Sequence, residues 1–127
     1  MIRVLLVGVG GFIGSILRYL LSGLAQNIFQ TARFPIGTVI VNLTGCYVIG
    51  LLSQLAESQN AFTDLTRSLV FAGVLGGYTT FSTLSNESLN LFRAGDTALA
   101  LVNVSVQVFG GLTLAWLGRI SGQLIWR

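Results

Sequence analysis

The sequence predicts an all-α membrane protein: four transmembrane helices in one domain spanning residues 1–127. Three observations lead there. Hydrophobic residues make up 53% of the chain and charged residues only 9%, against roughly 25% charged in a soluble domain. Mean hydropathy is +0.80, so the chain cannot cover a soluble surface. The apolar residues also gather into four tracts, each near the ~20 residues that cross a bilayer as a helix. The connections, about 25–33, 57–66 and 93–96, are too short to form a second domain.

The elements follow in order. The first span, about 2–24, is interrupted only by Arg18. A cleaved signal peptide would need a small-residue cleavage site followed by a polar mature chain, and neither follows. Its glycines, GVGGFIG at 8–14, fail the G-x-G-x-x-G dinucleotide spacing, because Ile13 stands where the third glycine belongs. Gly10, Gly14, Arg18 and Ser22 instead recur every four residues and share one helix face. Such small-xxx-small faces allow close helix approach in lipid, and Gly73/Gly77 and Gly118/Gly122 repeat the spacing.

The second span, about 34–56, carries no charge, and Pro35 suits its first turn. The third, about 67–92, contains GGYTTFSTLSNES at 76–88. The two glycines lower helix propensity there, so this helix is expected to break near residues 76–80. The fourth, about 97–122, runs uncharged from Asp96 to Arg119.

Charge decides little about orientation. With four spans, Arg3, Arg67, Arg119 and Arg127 share one side, while Arg33, Arg93 and Arg18 lie toward the other. Four against three is nearly no bias under the positive-inside rule. The expectation is a chain inserting both ways round, whose opposed copies pair as an antiparallel, dual-topology homodimer. A fixed topology set by the weak bias is the alternative.

Polar residues inside the spans mark the candidate site. Thr38, Asn42 and Gly45 share a face of the second span, and Asn103, Gln107 and Gly111 share a face of the fourth. Carboxamides are costly against lipid, so both stripes should face the interior, as interhelical hydrogen bonds or as the lining of a polar path. A broken membrane helix is tolerable only beside an ion or polar cavity, its freed carbonyls suited to cations and its N-terminus to anions. Thr79, Thr80, Ser82, Thr83 and Ser85 add hydroxyls around that point, and the edge of the Phe81 ring is the positive end of its quadrupole. No Asp or Glu lies deep in a span; Glu87 is nearest. The lining is therefore neutral and hydrogen-donating, suited to a small anion. One cysteine (Cys46) and no histidine leave no disulfide, His/Cys metal site or Ser-His chemistry within one chain. Scattered arginines form no nucleic-acid patch, and an enzyme is not expected.

Over nearly its full length the chain resembles the Fluc (CrcB) family of fluoride channels. The matching pieces are GGFIGSILRYLLS (10–22), PIGTVIVNLTG (35–45), GGYTTFSTLSNE (76–87) and the glycine pair of the last span. The resemblance implies passive, fluoride-selective export by an antiparallel homodimer with two pores, in a bacterial plasma (inner) membrane, with no other protein partner. It implies a structural sodium ion at the dimer centre, on the backbone carbonyls of Gly76 and Thr79 from both copies. It assigns Asn42, Phe81, Ser82 and Thr83 to the fluoride pore, with Thr38 beside them and Arg18 and Glu87 near the pore mouths. Leu84 stands where the family usually has a second pore phenylalanine, so one wall keeps its bulk without a ring edge. Asn103 and Gly111 stand where relatives can carry Tyr and Ser. The competing reading is a small dual-topology, proton-coupled multidrug exporter. That class needs a carboxylate in the first span, and residues 2–24 contain none.

Overall fold

A computed structural model describes residues 1–30 and 33–126. Four helical crossings make up the chain, the third of them interrupted. α1 (Ile2–Phe29) and α2 (Ile36–Gln59) are long and apolar enough to span a membrane, as is α5 (Thr97–Ile125). The third crossing consists of α3 (64–78) and α4 (Phe81–Arg93), separated by the extended residues Thr79 and Thr80.

Local chemistry sets these limits. α1 closes on Gln30 in the left-handed conformation (φ 48°), and α2 closes the same way on Asn60 (φ 47°). Pro35 sits just outside α2, at its N-cap rather than in its first turn, and its carbonyl accepts from Val39 N at 3.2 Å. Thr63 caps α3, its hydroxyl accepting from Thr66 N. α4 ends in a tight turn through Gly95 (φ 87°), which leads directly into α5.

The break falls at the end of the predicted interval, with a different cause. Gly76 keeps helical angles (φ −63°, ψ −37°), whereas Thr79 (−87°, 156°) and Thr80 (−150°, 115°) are extended. The β-branched threonines leave the helix, not the glycines. Two further irregularities have no signature in the sequence. Ser68–Leu75 in α3 and Val106–Gly110 in α5 are wound as wide π-type turns, a form that occurs mostly as short bulges near functional sites.

The glycines do pack. A methyl group on Gly14 would collide with the Val74 carbonyl, and one on Gly77 would lie 2.7 Å from the Gly11 carbonyl. α1 therefore lies against α3 backbone to backbone. α2 and α5 meet the same way, with Gly50 against Ala115 and Gly118 against the Tyr47 carbonyl. In lipid no hydrophobic force joins helices, so this close van der Waals contact does much of the holding. Elsewhere apolar side chains point outward, for example Leu5, Phe12, Phe109 and Trp116.

Ion pairs tie the helix ends. Arg3 reaches Asp64 at 2.9 Å, and Arg119 grips Glu57 with two 2.9 Å hydrogen bonds. Both pairs lie on the side of the N-terminus and the α2–α3 connection, while Arg33 and Asp96, 3.8 Å apart, bridge the other side. This is the arrangement an even number of crossings requires. Arg127, counted above toward the first side, lies outside the described residues.

Candidate functional site

Asn42 organises the break. Its Oδ1 accepts from Thr80 N–H at 2.8 Å, and its Nδ2 donates to the Thr80 carbonyl at 3.1 Å. One side-chain amide thus replaces, on both polar groups of Thr80, the partners a continuous helix would provide. That substitution makes the interruption tolerable in a bilayer, where water cannot serve.

The same exchange frees the two carbonyls singled out for a cation. The helical donor to the Gly76 carbonyl would be Thr80 N–H, which goes to Asn42 instead. The helical donor to the Thr79 carbonyl would be Thr83 N–H, which goes to Thr80 Oγ1 at 3.2 Å. Two neutral oxygens at the C-terminal end of α3, where the helix dipole is negative, suit a hard monovalent cation. Gly76 is exposed, and a side chain there would meet only the Phe71 carbonyl, at 3.6 Å. Nothing within the single chain demands glycine at that position.

Beyond the break the N-terminus of α4 presents the opposite charge. Thr80 Oγ1 caps it and also pairs with Ser82 Oγ (3.2 Å) and Thr83 Oγ1 (3.0 Å). The first N–H groups of the helix, on Phe81 and Ser82, have no helical acceptor. Ser85 bonds back to the Phe81 carbonyl at 2.9 Å, and Thr79 to that of Leu75, so these two hydroxyls serve the backbone.

The predicted residues fall into two spaces that share Thr80 as a wall. Arg18, Thr38, Thr83 and Glu87 line a broad open cavity of about 1170 Å³ between α1, α2 and α4, with Arg33 and Asp96 also in its lining. Within it Thr38 donates to Glu87 Oε1 at 2.7 Å, while Glu87 Oε2 is buried without a protein partner among the described residues. Asn42, Gly76, Thr79, Phe81 and Leu84 line a second groove of about 510 Å³, whose other residues are mainly apolar. Phe81 is 77% exposed there and Leu84 only 6%. Ser82 is exposed and lines neither space; it touches the site through Thr80.

The two polar stripes meet. Asn42 Nδ2 also donates to Gln107 Oε1 at 2.6 Å, Gln107 Nε2 donates to Asn103 Oδ1 at 2.8 Å, and Asn103 Nδ2 donates to Ser88 Oγ at 3.0 Å. All four side chains are buried, Asn103 completely. The chain of amides returns to α4 at Ser88 after leaving it at Thr80, strapping that helix to α2 and α5. Gly111, on the same stripe, is buried beside Cys46, where an added side chain would stand 3.1 Å from the sulfur. Thr80 and Ser88 escaped the sequence-based list of site residues. Thr80 was readable as a cap from Thr-x-x-Thr at the helix start; Ser88 had no such signal.

Four crossings and an amide-clasped break at the foot of a polar vestibule define a small multi-pass membrane protein, placed in the plasma (inner) membrane. Residues 5–119 match the family model described as CrcB-like protein, Camphor Resistance (CrcB). The chain is 42% identical over 121 residues to "Fluoride-specific ion channel FluC 1" of Methanosarcina acetivorans, covering 95% of this chain and 91% of that one. It is 41% identical over 125 residues to "Fluoride-specific ion channel FluC" of Ruminiclostridium cellulolyticum, covering 98% and 95%. The chain belongs to the CrcB (Fluc) family.

Proposed function

We propose that this chain is a fluoride-selective, passive channel, working as an antiparallel homodimer with two pores. The observation that carries the reading is the clasp of Asn42 on Thr80, in a chain about 40% identical to proteins named as fluoride-specific channels. The clasp turns the positive end of α4 toward a groove edged by Phe81, beside the hydroxyls of Thr80, Ser82 and Thr83. Fluoride holds its water tightly, so a dry path must offer many donors in exchange. Amide, hydroxyl and ring-edge donors do this without a fixed positive charge that would retain the ion.

Broad entry through the Arg18–Thr38–Glu87 vestibule and passage past Thr83 and Thr80 to the Phe81–Leu84 groove form the proposed route. Gly76 and Thr79 would hold a sodium ion between two copies, its charge neutralising the freed carbonyls and pinning the break. No chemical step accompanies transport, and the protein acts as a channel rather than an enzyme. Export needs only an inside-negative potential, which supplies about 2.3 kcal/mol per unit charge per 100 mV.

The test is flux from liposomes loaded with fluoride and carrying the purified protein. Setting the voltage with a potassium ionophore should release fluoride, read with a fluoride electrode, while chloride-loaded vesicles stay closed. Equal release of chloride would overturn the selectivity, and no release at all would overturn the channel. The proton-coupled exporter is disfavoured further, because the only carboxylate in the vestibule near mid-chain, Glu87, sits at α4 and none lies on α1.

A further inference from the structure

Asn42, the expected amide donor of the groove, has no proton left to offer. One Nδ2 proton goes to the Thr80 carbonyl and the other to Gln107 Oε1. The direction of these bonds is not a free choice of amide orientation. A backbone N–H can only donate and a carbonyl can only accept, so Thr80 dictates which end of the Asn42 amide faces which group. Each following partner is then forced. The nitrogen of Asn42 must meet the oxygen of Gln107, and the nitrogen of Gln107 must meet the oxygen of Asn103.

Counting protons along the chain leaves a remainder at Gln107. Its oxygen is taken by Asn42 and one Nε2 proton by Asn103; the second proton has no protein acceptor among the described residues. Gln107 is 6% exposed, yet it lines the same groove as Phe81 and Leu84. The wide turn Val106–Gly110 is what carries it there. A buried amide proton without a partner is costly, and the groove is the one polar outlet it borders.

We infer that Gln107 is a further anion-binding residue of this chain, its second Nε2 proton donating to fluoride in the groove while its oxygen holds Asn42 in place. The inference rests on the fluoride reading above and names a donor beyond those already placed in the pore. It gives the α5 side of the groove a donor opposite the α4 hydroxyls, on the side where Leu84 contributes none.

Gln107→Glu tests it with little change of shape. The carboxyl keeps an oxygen for Asn42, and its single proton, when present, is needed by Asn103. The proton facing the groove is lost in either ionisation state. Fluoride flux should fall about ten- to hundredfold, the factor expected for one hydrogen bond to a charged group. In parallel, wild-type protein carrying 15N-glutamine in micelles should shift a Gln107 side-chain N–H resonance on addition of sodium fluoride, but not sodium chloride. Wild-type flux in Gln107→Glu, or an unmoved Gln107 resonance, overturns the inference. The resonance decides alone if the variant does not fold. Absence of fluoride flux in the wild type itself strikes the channel reading instead.

Discussion

At the scale of single residues, Asn42 does two things whose failures would look different. Asn42→Asp keeps the oxygen that accepts from Thr80 N–H but turns the nitrogen into a second oxygen, facing the Thr80 carbonyl and Gln107 Oε1. Acceptor then meets acceptor twice, and a negative charge faces the anion path. Fluoride flux in liposomes should drop by at least tenfold, on the scale of lost charge-assisted hydrogen bonds. Leu84 allows the opposite experiment. It is buried in the groove beside Phe81, so Leu84→Phe restores a ring edge at some cost in packing, typically about 1–3 kcal/mol for an overfilled site. The expected result is a higher fluoride rate in the flux assay, alongside a lower thermal midpoint in detergent.

Among the elements, the close pairs α1–α3 and α2–α5 predict which substitutions loosen the bundle. Gly118 lies so near the Tyr47 carbonyl that even a methyl group must push α5 away from α2. Gly118→Ala should destabilise the protein by about 1–3 kcal/mol, measured as a lowered melting temperature by circular dichroism. Gly8, where nothing lies within 4 Å of an added methyl, should tolerate alanine with no comparable loss. The break depends on a single backbone donor. Thr80→Pro removes the N–H that Asn42 accepts, so flux should collapse in liposomes even if the helical spectrum is retained.

This is also the scale at which sequence reading succeeded and stopped. The four crossings were legible because charge is excluded from long tracts. The small-xxx-small spacing anticipated the α1–α3 contact, since both helices repeat glycine every four residues. The break was legible as a polar, glycine-bearing interval, but its cause was assigned to Gly76 and Gly77, whereas Thr79 and Thr80 are the extended residues. Propensity ranks glycine below threonine within a helix; tertiary hydrogen bonds from Asn42 reversed that order locally. The stripes of α2 and α5 were seen separately. Their union through Asn42 and Gln107 required knowing that the two helices are neighbours, which periodicity within one helix does not contain.

For the whole molecule, the described arginines and carboxylates pair across helices distant in sequence: Arg3 with Asp64, Arg33 with Asp96, and Arg119 with Glu57. Exposed pairs of this kind are worth roughly 0–1 kcal/mol each, so they align the helix ends more than they stabilise the fold. They also form after the chain has been threaded into the bilayer and cannot guide its insertion. Orientation then rests on the nearly balanced arginines alone. Reporter domains fused to the C-terminus, one active only in the cytoplasm and one only outside, should both give signal in the same cells. Two added lysines in the 57–66 connection should bias the population strongly one way, and coexpressing oppositely biased chains should recover fluoride flux that either lacks by itself. A single active reporter in the unmodified chain would rule out the opposed pair.

The widened winding at Val106–Gly110 carries a last consequence, for changes of length. Such a turn accommodates the equivalent of one surplus residue within an otherwise regular helix. Loss of one codon there would let α5 relax into uniform winding, locally more comfortable, yet would rotate everything downstream by about 100°. Gly118 would swing off Tyr47 and Arg119 away from Glu57. A deletion that improves the helix would thereby dismantle the bundle, whereas an exchange of side chain at Val106, Val108 or Phe109, all exposed, would leave the rotational phase intact.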